Sequence, residues 1–120
     1  MARILLADDD AATRALVERA LAVDGHVVTS TQDGAEALER LKGPGAFDVL
    51  ISDVQMPAVD GIALAEKGLA AQPNLRVILI SGFADEIDRA RHLKKSKVTR
   101  VIAKPVTLEG IRAAVKAALT

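Results

Sequence analysis

The chain has no cysteine, tryptophan or tyrosine among its 120 residues, and only two phenylalanines. Without cysteine there is no disulfide, no thiolate metal ligand and no thiol nucleophile, which fits a reducing compartment and makes the cytoplasm the expected location. Excess charge is missing too, since 16 Lys and Arg balance 16 Asp and Glu. No global positive field recruits nucleic acid or an anionic membrane, so neither is an expected partner and recognition falls to local patches. No apolar stretch approaches the roughly 20 residues of a membrane span. Met1-Ala2-Arg3 leads into a strand pattern rather than a signal peptide. The two histidines, His26 and His92, have no metal partner at ligand spacing. With no repeat, low-complexity tract or linker, residues 1–120 read as one domain.

What the chain does contain is a set of short aliphatic runs, each ending on a residue that phosphate chemistry can use. Ile4-Leu5-Leu6-Ala7 runs into Asp8-Asp9-Asp10, Val49-Leu50-Ile51-Ser52 into Asp53, Val77-Ile78-Leu79-Ile80 into Ser81, and Val101-Ile102-Ala103 into Lys104-Pro105. Such near-continuous runs suit parallel strands buried on both faces. A shorter strand is expected at residues 26–30. Helical periodicity fills the intervals, so strand and helix alternate five times and the fold class is α/β with a doubly wound parallel sheet. The first helix, Ala11–Val23, pairs Leu16 with Ala20 and Val17 with Leu21. The second starts at a capping-box spacing, Asp33 to Glu36, buries Ala37, Leu38 and Leu41, and ends at Gly43-Pro44-Gly45. Gly61–Ala71 places Ile62, Ala65 and Leu69 on one side, and the last helix, from Thr107, buries Leu108, Ile111, Val115 and Leu119. The sequence stops one residue beyond, which leaves no expected output domain.

Ligands in open α/β sheets bind at the carboxyl ends of the strands. Gathered there, the acids would repel one another unless a cation or a raised pKa relieved them. Oxygen-only donors favour Mg²⁺, with Asp9 and Asp53 as direct ligands, Asp8 acting through water, and the Gln55 backbone carbonyl as a further donor. Asp53 would be the nucleophile toward a phosphoryl donor. Lys104 and the Ser81 hydroxyl would meet the oxygens of the transferred group, and Gly82 would leave the site open.

These residues resemble the CheY-like receiver domains of bacterial response regulators, from Arg3 to the last helix. The acidic pair matches Asp8-Asp9, the phosphoacceptor and its loop match Asp53-Val54-Gln55-Met56-Pro57 through Asp60-Gly61, the switch hydroxyl matches Ser81-Gly82, and the lysine with its proline matches Lys104-Pro105. The resemblance implies the flavodoxin-like (βα)5 fold with strand order 2-1-3-4-5, a cis Lys104-Pro105 peptide, and a signalling domain that is no enzyme beyond its own phosphorylation and dephosphorylation. It further implies a histidine kinase or histidine phosphotransfer protein as donor and a protein target docking on residues 83–106, in a monomer or weak dimer. Within the family, Ala2-Arg3-Ile4-Leu5-Leu6-Ala7 and Ser81-Gly82-Phe83-Ala84 are similar to the CpdR-like single-domain regulators, a group tied to cell-cycle control of proteolysis by an ATP-dependent protease.

The chain departs from the family pattern where Val101 replaces the common aromatic of the fifth strand and Val106 a common Phe. Phe83 is the aromatic expected to substitute, and residues 93–100 lack the usual small turn, so an irregular exit from the fourth helix is expected. The basic run Arg89, Arg91, His92, Lys94, Lys95, Lys97 and Arg100 reads as a solvated face or as the partner surface. Asp8-Asp9-Asp10 could serve only as a helix cap, and Ser81 could cap the fourth helix. Other readings are a phosphate shuttle or sink, and a receiver cut from a hybrid kinase. A haloacid dehalogenase-type phosphohydrolase needs a second Asp two residues after the nucleophile, where Gln55 stands. A dinucleotide site lacks its Gly-x-Gly-x-x-Gly.

Overall fold

The computed structural model describes residues 1–94 and 98–120, with side chains for all of these except 90–94, 98 and 99. Ten elements alternate along the chain: β1 (Arg3–Ala7), α1 (Ala11–Val23), β2 (Val27–Thr31), α2 (Gly34–Lys42), β3 (Val49–Asp53), α3 (Gly61–Ala71), β4 (Arg76–Ser81), α4 (Ala84–Lys94), β5 (Val98–Ala103) and α5 (Leu108–Leu119). All neighbouring strands pair in parallel, in the order β2-β1-β3-β4-β5. The expected strand order holds. β2 starts one residue later than expected, because the chain first turns at Gly25, whose φ of 75° suits glycine. β5 starts at Val98, three residues ahead of the expected run, and its register against β4 shifts between the Val77–Val98 and Ile78–Arg100 pairs.

Successive strand residues face opposite sides of the sheet, so an unbroken aliphatic run needs cover on both. Leu5, Leu50, Val77 and Leu79 pack beneath Ala37, Leu38 and Leu41 of α2 and Ile62, Leu64 and Ala65 of α3. Ile4, Leu6, Ile51, Ile78 and Ile80 face Val17, Ala20 and Leu21 of α1 and Ile111, Ala114 and Val115 of α5. Leu16, Leu69, Leu108 and Leu119, expected inside, sit half-buried at the rims. Leu64, outside the expected stripe of α3, is fully buried.

Side-chain caps set the helix starts. Asp10 accepts from the Ala12 and Thr13 amides, Asp60 from Ala63, and Thr107 from Gly110, which makes Thr107 the cap of α5 rather than its first residue. At α2, Asp33 accepts from Glu36 as expected, while the Glu36 carboxylate reaches back to the Gln32 amide, one residue beyond the usual capping-box partner. Among the described residues no helix is long and apolar enough to cross a membrane.

Glycine is required at the turn that follows β3. A Cβ at Gly61 would collide with the Asp53 backbone carbonyl, and the Gly61 amide donates to the Val54 carbonyl at 2.8 Å. Gly61→Ala is therefore expected to destabilise the fold by about 2–3 kcal/mol, since backbone cannot move aside as a side chain can. Urea unfolding followed by circular dichroism measures this, and an unchanged midpoint would contradict the tight packing of this turn.

Candidate functional site

β1 lies between β2 and β3, so successive connections leave the sheet in opposite senses and open a crevice at the carboxyl ends of β1 and β3. The chain enters it with Asp8-Asp9 after β1, Asp53 at the end of β3, Ser81 at the end of β4 and Lys104 after β5. Asp8 is anchored by its backbone: its amide donates to the Thr31 carbonyl at 3.2 Å, and the Arg14 guanidinium donates to its carbonyl at 2.7 Å. Arg14 and Thr31 support the site without a signal in the sequence, because each acts through a main-chain group brought close only by folding.

Asp8 and Asp53 are buried and Asp9 is exposed. One carboxylate oxygen from each lies within 4.8 Å of the others. Asp8 Oδ1 accepts from the Asp10 amide at 2.9 Å, whereas Oδ2 is buried with no hydrogen-bond partner. Burial pushes the Asp8 carboxyl up from 3.8 to about 6; the Asp10 amide opposes that rise and the neighbouring Asp53 charge adds to it. An orphaned buried oxygen in an all-carboxylate cluster fits a hard divalent cation, which would supply the missing positive charge.

Asp53 holds two contacts. Its Oδ1 accepts from the Gln55 amide at 3.2 Å and its Oδ2 from Lys104 Nζ at 2.8 Å. Burial pulls the Lys104 ammonium down, but the hydrogen bond and charge of Asp53 outweigh it and leave the pKa above 10.5. The Lys104–Pro105 peptide is cis, as expected. The loop between Asp53 and Gly61 carries Ala58 at a φ of 69°, a left-handed conformation that costs a residue with a Cβ. An open cleft of about 570 Å³ borders the site and is lined by Thr13, Leu16, Gly82, Lys104, Pro105 and Val106.

Ser81 is fully buried, and its hydroxyl is occupied on both sides. It accepts from the Phe83 amide at 3.1 Å and donates to Glu86 Oε1 at 2.6 Å, with the Phe83 carbonyl at 3.2 Å. The Phe83 carbonyl in turn accepts from Ile87, so Ser81 braces the residue just before α4 rather than capping the helix itself. Glu86 is the polar partner that sequence reasoning passed over. Asp10 is the α1 cap and accepts from the Thr13 hydroxyl at 2.6 Å. Phe83 is 58 % exposed, and Val101 is half-buried against the core. Of the basic run, Arg89 reaches Asp60 at 3.6 Å and Arg100 is exposed. The side chains of Arg91, His92 and Lys94, and residues 95–97 within the expected irregular exit over 93–100, lie outside the described set.

Residues 4–116 match the family described as response regulator receiver domain, and the chain belongs to that family. It is CpdR-like: over 84 residues it is 43 % identical to the response regulator receiver protein CpdR of Brucella abortus (strain 2308), covering 70 % of this chain and 69 % of that protein. It is also 34 % identical over 116 residues to the sensor kinase CckA of the same organism, 96 % of this chain but 12 % of the kinase. A receiver domain protein from Clostridium thermocellum superposes with a TM-score of 0.89 at 27 % identity, covering 99 % of this chain and 94 % of that one.

Proposed function

We propose that this domain is a stand-alone response regulator in which Asp53 is the phosphoacceptor and the output is a changed protein contact. The observation that supports it is a buried carboxylate at a strand end, held at 2.8 Å by the Lys104 ammonium and flanked by two further carboxylates. An Asp53 oxygen forms the new bond to phosphorus as the P–N bond of a phosphohistidine, or the P–O bond of a small acyl phosphate, breaks. The bonding pair leaves with the donor group. Lys104 sits where it neutralises one oxygen of the transferred group, the Gln55 amide lies beside the reacting carboxylate, and Ser81 is the hydroxyl for another oxygen once it leaves Glu86. Asp8, Asp9, Asp53 and the Gln55 carbonyl would hold Mg²⁺, which when bound offsets the negative charge that both the carboxylates and the incoming phosphoryl group bring.

Residues 1–120 then act as one receiver unit, served by a histidine kinase or histidine phosphotransfer protein. Its CpdR-like character supports a target in regulated proteolysis and cell-cycle control, docking on residues 83–106. Identity to the CckA kinase over nearly the whole chain favours a second reading, a receiver that passes phosphate along a relay from within a hybrid kinase. A long-lived phosphate with a phosphorylation-dependent target supports the first reading; rapid transfer to a histidine acceptor supports the second.

The test is incubation with a labelled acyl phosphate and Mg²⁺. Wild type should gain an acid-stable, base-labile label, and Asp53→Asn should take up less than about one hundredth as much, as loss of a nucleophile requires. Undiminished labelling of Asp53→Asn would remove Asp53 from the role.

A further inference from the structure

We propose that Glu86 is a positioning residue for the Ser81 hydroxyl, and that an oxyanion bonded to Asp53 recruits this hydroxyl only by displacing it from Glu86. This rests on the phosphoacceptor reading of Asp53 and adds a competitor to it. A serine hydroxyl has one proton to donate. Here the hydroxyl oxygen lies 2.6 Å from a Glu86 carboxylate oxygen, a short charge-assisted contact that takes the proton, while the Phe83 amide occupies the acceptor side at 3.1 Å. Ser81 is fully buried, and the other acceptor within reach of its hydroxyl is the neutral Phe83 carbonyl at 3.2 Å, so the short contact to the Glu86 carboxylate is the stronger competitor that an anion at Asp53 must displace.

Glu86 stands in the first turn of α4, so its contact with Ser81 ties the start of that helix to the end of β4. Surrender of the Ser81 proton to an anion at Asp53 unties that turn from the end of β4. One turn further along, Arg89 faces Asp60, the cap of α3 in the loop that follows Asp53. The first half of α4 is thus tied to two of the segments that form the site. An exchange of hydroxyl partners gives the site a way to move α4 without an aromatic side chain on β5, where Val101 stands.

The test is a double-mutant cycle read by the affinity for beryllofluoride in the presence of Mg²⁺, measured by calorimetry. Glu86→Ala is expected to tighten binding by about five- to tenfold, the effect of removing one charge-assisted competitor, and the near-isosteric Glu86→Gln, which keeps a neutral acceptor, by a smaller factor of about two- to threefold. In the Ser81→Ala background the Glu86→Ala change should alter affinity by less than about twofold, because the competition needs the hydroxyl. Equal tightening in both backgrounds would mean that Glu86 acts by simple charge repulsion, and no tightening in either would mean that it does not restrain Ser81; each overturns the proposal. If wild type takes up no beryllofluoride at all, the Asp53 reading fails first and the role of Glu86 falls with it.

Discussion

Asp8→Asn is expected to stabilise the metal-free protein by about 2 kcal/mol near pH 7.5 and to leave it unchanged near pH 4. Asp8 is fully buried, one of its oxygens has no partner, and its carboxyl is held up near 6 against an ordinary 3.8. The sign follows from linkage. A carboxyl whose folded-state pKa is raised keeps its proton more tightly in the fold than in the unfolded chain. Its favourable contribution is complete below the unfolded value and is lost as pH rises through about 6. Near neutrality the folded protein therefore carries an unrelieved buried charge. Asparagine removes that charge while its side-chain oxygen can still accept from the Asp10 amide. Mg²⁺ should do for the wild type what the substitution does without it, so added Mg²⁺ raises the melting temperature of wild type near pH 7.5 far more than that of the variant. With no tryptophan or tyrosine in the chain, circular dichroism is the probe of choice for urea unfolding in chelator at both pH values. A variant less stable than wild type near neutral pH would contradict this electrostatic account.

Lys104→Met is expected to act in the opposite direction. The ammonium is the cation 2.8 Å from Asp53, and its own pKa is raised, so its contribution is fully present below 10.5 and lost only as pH climbs through the higher folded-state value. Its loss leaves Asp8 and Asp53 uncompensated. Breaking a fully buried pair costs roughly 3–5 kcal/mol, but the Lys104 side chain is one-third exposed, so an expected cost of about 1–2 kcal/mol near pH 7.5 allows for solvent screening. The functional effect is larger. A charge placed to meet the transferred group contributes about 10²–10³ in rate, so labelling by an acyl phosphate should slow by that factor while Mg²⁺ affinity holds or rises. Combination with Asp8→Asn should restore stability but not labelling. A variant that labels at the wild-type rate would show that Lys104 serves the fold alone.

The sheet was legible because burial on both faces leaves aliphatic runs with few interruptions, and each run ends where the chain meets solvent and can carry a charge. Asp8, Asp9, Asp53, Ser81 and Lys104 therefore fall at strand ends by the same logic that marks the strands. Contacts that depend on tertiary approach were not legible. Leu64 looks off the stripe of α3 until the helix is seen to be covered more widely, and Thr31 and Arg14 support Asp8 through its own main-chain atoms. Glu86 was hidden because an acid in the first turn of a helix has a sufficient local reason to be there. Nothing in the spacing from Ser81 announces that the α4 entry folds back far enough for the two to meet. The onset of β5 was obscured by its mixed opening, Val98-Thr99-Arg100, and by the register shift that accommodates it.

A phosphorylatable switch centred on Asp53 is tested most directly by an amide NMR titration with Mg²⁺ and then beryllofluoride, on wild type and on Asp53→Asn. Mg²⁺ is expected to shift signals around Asp8, Asp9 and Gln55. Beryllofluoride should then shift those of Ser81, Phe83, Lys104 and the length of α4, with the second set absent in Asp53→Asn. Failure of wild type to respond to either ligand, or the same response in Asp53→Asn, would contradict the switch.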